Sequence, residues 1–267
     1  IWFVGGNKNL IVDTTLPMAL SVNSNALDNT YKVGDLIPIT VTFNEAVNVT
    51  GTPQLTLETG NTDAVVDYAG GSGTIILTFN YTVLENHASS DLDYVATSSL
   101  ALNSGTIKDG AGNNATLTLA APGAANSLGA NNALVVDGVT PTIASVATTV
   151  SDGLFKIGDV IPITVTFSEA ISVNTTNGTP QLTLETGTTD VLVGYSSGTG
   201  TNVLTFNYTV AEGHVSTDLD YTATNALGLN SGTIQDGAGN NAILTLAAPG
   251  ETNSLAGNAD IVLDGTI

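Results

Sequence analysis

Cysteine is missing altogether from the 267 residues, so neither a disulfide framework nor a thiolate metal centre is possible and the redox compartment stays open. Arginine is missing as well. Lys8, Lys32, Lys108 and Lys156 stand against 24 acidic residues, for a formal net charge of −20. Such a chain has little with which to neutralise phosphates, which argues against nucleic acid and anionic membranes as partners. No apolar run approaches the ~20 residues of a membrane-spanning helix, and no membrane insertion is expected. Residues 1–4 are too short, and too poor in flanking basic charge, for a secretory signal; the chain is expected to be a mature form or an excerpt. Catalytic signatures are scarce too: there is no G-x-S-x-G elbow, no H-E-x-x-H and no phosphate-cradling glycine loop, and an enzyme is not expected.

What the chain does have is a long internal repeat. Residues 34–60 read GDLIPITVTFNEAVNVTGTPQLTLETG, and residues 158–187 read GDVIPITVTFSEAISVNTTNGTPQLTLETG. Ile37, Ile39, Val41 and Phe43 alternate with Pro38, Thr40 and Thr42, the two-residue period of a strand with one apolar face. The alternation is expected to stop at Glu45, and at Glu169 in the second copy, so that an acid stands where the strand leaves the core. The repeat of about 124 to 127 residues is far longer than a solenoid unit and matches one closed domain.

A closing segment occurs three times, as 5–13 (GGNKNLIVD), 129–137 (GANNALVVD) and 256–264 (AGNADIVLD). Three closing segments against two bodies suggest the division 1–13, a closing strand of a preceding repeat or a donor strand; 14–137 and 138–264, two domains; and 265–267, the start of a next repeat. Within the first domain, strands are expected at 18–22, 37–43, 54–58, 64–68, 74–83, 92–97, 115–119 and 133–136, each bounded by turn residues. Residues 23–35 read as a polar loop carrying Asp28 and Asp35, and 120–132 as an irregular connection. Many short strands without helical periodicity give the fold class: all-β, two tandem Ig-like β-sandwich domains.

The series VTFNEAV, PQLTLETG, LDY and KDGAGNNATLTL, repeated as VTFSEAI, PQLTLETG, LDY and QDGAGNNAILTL, resembles the bacterial Ig-like domains of S-layer proteins and large secreted adhesins. The resemblance spans nearly the whole chain. It implies an extracellular or cell-surface bacterial array protein, non-enzymatic, whose partners are copies of itself or neighbouring repeats.

Acids without bases invite divalent cations. Following the strands up and down puts Asp13, Glu45 and the Asp109–Asn113 turn at one pole of the first domain, with Asp35, Glu85 and Asp91 at the other. At the junction, Asp137, Glu169, Asp236 and Asn240 are expected to face Asp35, Glu85 and Asp91, offering the six to eight oxygens that Ca2+ takes. Asp and Asn also favour glycine-rich turns for their own backbone bonds, and no EF-hand loop occurs. His87 and His214, beside acids on polar loops, read mainly as solvated side chains and secondarily as transition-metal ligands. Tyr94 and Tyr221 follow an Asp-Leu-Asp and read as corner tyrosines whose hydroxyls bond to backbone. The spare segment Asn9, Leu10, Ile11 and Val12 has the outline of the other closing strands and is expected to complete a neighbour's edge by strand addition. A carbohydrate-binding module taking surface glycans is the alternative; it would want exposed aromatics, and the sole tryptophan, Trp2, lies outside both bodies.

Overall fold

The computed structural model describes residues 12–267. The chain divides into two compact units, Ile1–Gly138 and Val139–Ile267, a boundary one residue beyond the expected one. In the first unit the elements run β1 (Ala19–Ser24), β2 (Asn29–Lys32), β3 (Leu36–Thr50), β4 (Gln54–Leu57), β5 (Ala64–Gly70), β6 (Thr74–Thr82), β7 (Ala88–Ser89), β8 (Leu100–Ala101), β9 (Thr106–Lys108), α1 (Leu128–Asn131) and β10 (Leu134–Asp137). The larger sheet has the order β1-β3-β6-β5-β4-β8, with β9 paired to the far half of β3; the smaller has the order β2-β10-β7. Pairing is antiparallel except between β10 and β2. The closing strand is therefore the central strand of the small sheet, set between two partners of its own unit.

The core follows the alternation. Ile37, Ile39, Val41 and Phe43 of β3 are at most 1% exposed, and Leu77, Phe79 and Tyr81 of β6 meet them from the neighbouring strand. β3 does not end at Phe43. Val47 is buried, and the chain runs on through a register shift between Thr42 and Val47, after which Asn48–Thr50 pair with β9. Glu45 sits inside that irregularity, where the strand bends and a side chain can be re-aimed. Other departures have the same kind of cause. β2 forms where a polar loop was expected, because Asn29–Lys32 pair in parallel with Leu134–Asp137. The expected strands at 92–97 and 115–119 make only single bridges, Leu57↔Tyr94 and Met18↔Thr116. Ile75, which shares the parity of the inward-facing Leu77, Phe79 and Tyr81, is nevertheless 46% exposed, since β6 has already lost its regular pairing with β3 at the bend. Within 120–132 the chain makes one short turn of helix, whose N-cap Ser127 accepts from Ala130 N–H at 3.2 Å.

The second unit repeats the plan with β11 (Ile143–Thr148), β12 (Gly153–Lys156), β13 (Val160–Asn174), β14 (Gln181–Leu184), β15 (Val191–Ser197), β16 (Thr201–Thr209), β17 (Val215–Ser216), β18 (Leu227–Gly228), β19 (Thr233–Gln235), α2 (Leu255–Asn258) and β20 (Ile261–Asp264). Its sheets have the orders β11-β13-β16-β15-β14-β18 and β12-β20-β17. Both corner tyrosines are buried and donate to backbone, Tyr94 to Ala120 O and Tyr221 to Ala247 O, each at 2.7 Å.

Candidate metal centre

The bend in β3 positions the site. Glu45 is carried past Phe43 to the end of the large sheet, where the turn after β9 begins with Asp109. That turn is built around its own aspartate. Asp109 Oδ1 accepts from the N–H groups of Ala111 (2.8 Å), Gly112 (2.6 Å) and Asn113 (2.8 Å), and Oδ2 from Asn113 Nδ2 (2.7 Å). Gly112 takes the positive φ that folds the loop back on the carboxylate. Asn113 Nδ2 also donates to the carbonyls of Asp13 (3.2 Å) and Thr15 (3.3 Å), so one amide ties the incoming chain to the turn. Asp13, Glu45 and Asp109 then each present a carboxylate oxygen within 4.8 Å of the other two.

The electrostatics of the three acids differ. Burial would raise the Asp109 carboxyl, but the Asn113 side chain and the three backbone N–H groups outweigh it and hold the group below the usual aspartate range. Glu45 goes the other way. Burial raises it first, and the carboxylates of Asp13 and Asp109 raise it further. Its Oε1 is shielded from solvent and meets no hydrogen-bond donor, which leaves one acceptor oxygen unsatisfied beside two other carboxylates. A cation there would answer both the repulsion and the unmet acceptor. With oxygen donors only, and neither thiolate nor imidazole, the donor set suits a hard cation and not zinc or copper.

In the second unit Glu169 and Asp236 carry carboxylate oxygens within 4.8 Å of each other. Asp236 Oδ1 accepts from Gly239 N–H (2.7 Å) and Asn240 N–H (2.8 Å), and Oδ2 from Asn240 Nδ2 (2.8 Å). Asn240 thus has its side-chain nitrogen committed to holding Asp236. Asp137 ends β10 of the first unit and aligns in sequence with Asp13. Asp35, Glu85 and Asp91 belong to no group of three ligating side chains among the described residues. Asp35 is spent on its own turn, where Oδ2 accepts from Lys32 N–H at 3.0 Å, while Glu85 and Asp91 are exposed. Of the assembly segment, Asn9, Leu10 and Ile11 lie outside the described residues, and Val12 is 72% exposed.

The histidines do something else than expected. His87 is buried, with Nδ1 2.9 Å from the Tyr81 hydroxyl and the rings stacked at 5.8 Å. His214 is half-buried and pairs with Tyr208 in the same way at 2.8 Å. Neither joins a ligating group among the described residues. The spacing that signals the pair, a Tyr six residues before the His in both copies, was present in the sequence. The fully buried aromatics Tyr81, Tyr94, Phe43 and Phe79 and their counterparts lie in the cores.

No family model matches the chain, and no curated protein matches it. Among solved structures it is similar to a DUF4785 family protein from Legionella pneumophila, at 11% identity and a TM-score of 0.24, over 75% of this chain and 50% of that one. The chain thus spans about half the length of that structure.

Proposed function

We propose that the chain is a structural segment of an extracellular bacterial repeat array, Ig-like β-sandwich modules of the S-layer and adhesin kind, stiffened by calcium and joined to further copies by strand addition. The observation that carries the reading is the acid group Asp13, Glu45 and Asp109 with its unsatisfied Glu45 oxygen, because the sequence repeats the same three acids as Asp137, Glu169 and Asp236. Asp13 comes from the first closing segment, and Glu45 and Asp109 from the body that follows. A cation held by such a set fastens the entry of a module to its own sheet end, which is what a rod of repeated units needs at every step. The burial of the core aromatics, Phe43, Phe79, Tyr81 and Tyr94 and their counterparts, favours a structural role over the glycan-binding one.

Calcium removal tests it. Bound ion stabilises the folded state by mass action, by about 2.7 kcal/mol at a hundred times its dissociation constant. The melting midpoint is expected to be higher in millimolar calcium than in chelator, with the difference reduced in Glu45→Gln and in Asp109→Asn. Coincident melting curves for the parent chain in the two conditions would overturn the calcium part of the reading.

A further inference from the structure

β5 and β6 pair at Gly70↔Thr78 and Tyr68↔Phe79, and from there toward Ala64 the first strand follows β4 while the second stays on β3. Where they part lies a cleft of about 600 Å3, with Tyr81 and His87 in its lining. That volume falls in the range of small-molecule sites.

His87 brings to this cleft a polar atom that the fold does not use. The residue is only 7% exposed, its Nδ1 meets the Tyr81 hydroxyl at 2.9 Å, and its Nε2 has no hydrogen-bond partner among the described residues. Burial holds the ring below its ordinary 6.5, so at neutral pH it carries no charge to repel a cation. The second unit differs here. Ala211 N–H donates to His214 Nδ1 at 3.2 Å, which makes that nitrogen an acceptor and puts the ring proton on Nε2. Among the described residues no such N–H reaches His87 Nδ1, and the Tyr81 hydroxyl can either give or receive a proton. Nε2 of His87 is therefore able to present a lone pair.

Alternation along β5 sends Ala64 and Val66 into the core and Asp63, Val65 and Asp67 outward. Four residues of strand separate the two aspartates by about 13 Å, and Val65 sits between them. Leu84 on the other wall is, like Val65, 57% exposed. Asp67 Oδ1 accepts from Gln54 Nε2 at 2.9 Å, which steadies the carboxylate without neutralising it. Among the described residues no lysine lines the cleft, and the whole chain is strongly negative, so the field there draws cations and repels anions.

We propose that this cleft binds a linear polyamine, an unbranched chain with an ammonium group toward each end. Asp63 and Asp67 each receive one ammonium, Val65 and Leu84 pack on the alkyl stem between them, and His87 Nε2 accepts an N–H from the cation. Carboxylates this far apart cannot ligate one metal ion, whose oxygen ligands stand at about 2–2.6 Å. Their spacing selects for length instead: a short diamine meets one of them and a longer one meets both. The second unit is an internal control, since Gly194 stands where Asp67 does and Ala211 where Leu84 does.

The test is a titration of the full chain, in millimolar calcium and physiological salt, with unbranched diamines from butanediamine to decanediamine and with spermidine, followed by amide NMR. Shifts are expected to centre on residues 63–67 and 80–87, with affinity rising as the diamine lengthens, and the matching amides of the second unit should move less. The ring nitrogens of His87 should shift in step, and those of His214 should not. Asp63→Asn and Asp67→Asn should each weaken binding of the longest diamines by about two- to fivefold, the range of one exposed ion pair, and should flatten the dependence on length. Both positions face solvent, and Asn at position 67 keeps an acceptor for Gln54, so the amide spectrum away from the cleft should stay unchanged. Shifts spread over the acids of both units, affinity independent of length, or no shift at millimolar amine would overturn the proposal, as would binding at the cleft that Asp67→Asn leaves untouched.

Discussion

β3 and β13 show the same sequence of buried and exposed positions over all fifteen residues, yet the far ends of the two units carry different charge. Where the first unit has Ala133, the second has Asp260, whose N–H is received by Asp152 Oδ1 at 3.0 Å just as Ala133 N–H is received by Asp28. The backbone arrangement is retained and a carboxylate is added. Burial first, and then the carboxylates of Asp260, Asp220 and Asp152, push the Asp218 carboxyl above its ordinary 3.8, against the N–H of Ile261 that pulls it down. The packed strands tolerate no such drift, because one displaced side chain would leave a void or a buried polar group. The loops do.

The comparison is broken most severely at what the units share. Tyr94→Phe and Tyr221→Phe each leave a backbone carbonyl without its donor, at a cost of about 1–2 kcal/mol. The two losses should be equal and confined to the altered unit, as read by amide hydrogen exchange of each core. A loss twice as large in one unit, or spread across both, would show that the repeated geometry is not energetically repeated.

A smaller effect is expected where the units differ. Asp260→Ala gives the second unit the residue of the first and removes a like-charge neighbour from Asp218. At neutral pH it should stabilise that unit by about 0.2–1 kcal/mol, the range of exposed charge pairs. The sign follows from linkage. A carboxyl whose folded pKa is raised favours the folded state below its ordinary 3.8 and loses that contribution as pH rises through the folded value. The gain from Asp260→Ala should therefore vanish near pH 3, and a gain unchanged across the titration would point to loop conformation instead.

The smallest expected effect has the opposite pH sense. Burial holds His87 below its ordinary 6.5, so the unfolded chain takes up a proton before the folded unit does. Stability of the first unit is complete above that pH and declines as pH falls through it. Exchange of the amides of Asn86 and Gly138, which the loop 84–87 holds, should accelerate relative to the global rate between pH 7 and 5. His87→Gln should flatten that dependence.

How much of this was legible depends on whether a feature is local. The alternation of Ile37 to Phe43 announces its strand, and following the strands up and down was enough to put Asp13, Glu45 and Asp109 at one pole, where they do meet, although Glu45 lies at a bend within β3 and not at its end. β2 was not legible. Asn29, Thr30 and Tyr31 carry no apolar period, and their strand exists because Leu134–Asp137, a hundred residues later, run alongside. Asp35 illustrates the limit at a site: its position at a loop was readable, but the carboxylate is engaged by its own turn, and only coordinates reveal that.

The parallel pairing of β10 with β2 has a mechanical consequence. β10 is the last strand of its unit and leads directly to Gly138, whereas β2 is reached from the other end of the unit through β1. Tension applied at the two ends of the unit pulls β10 toward its C-terminus and β2 toward its N-terminus. Four residue pairs, Leu134↔Asn29 to Asp137↔Lys32, then slide past one another and bear load together in shear, instead of opening one at a time like a zipper. The same holds for β20 on β12, with Ile261↔Gly153 to Asp264↔Lys156.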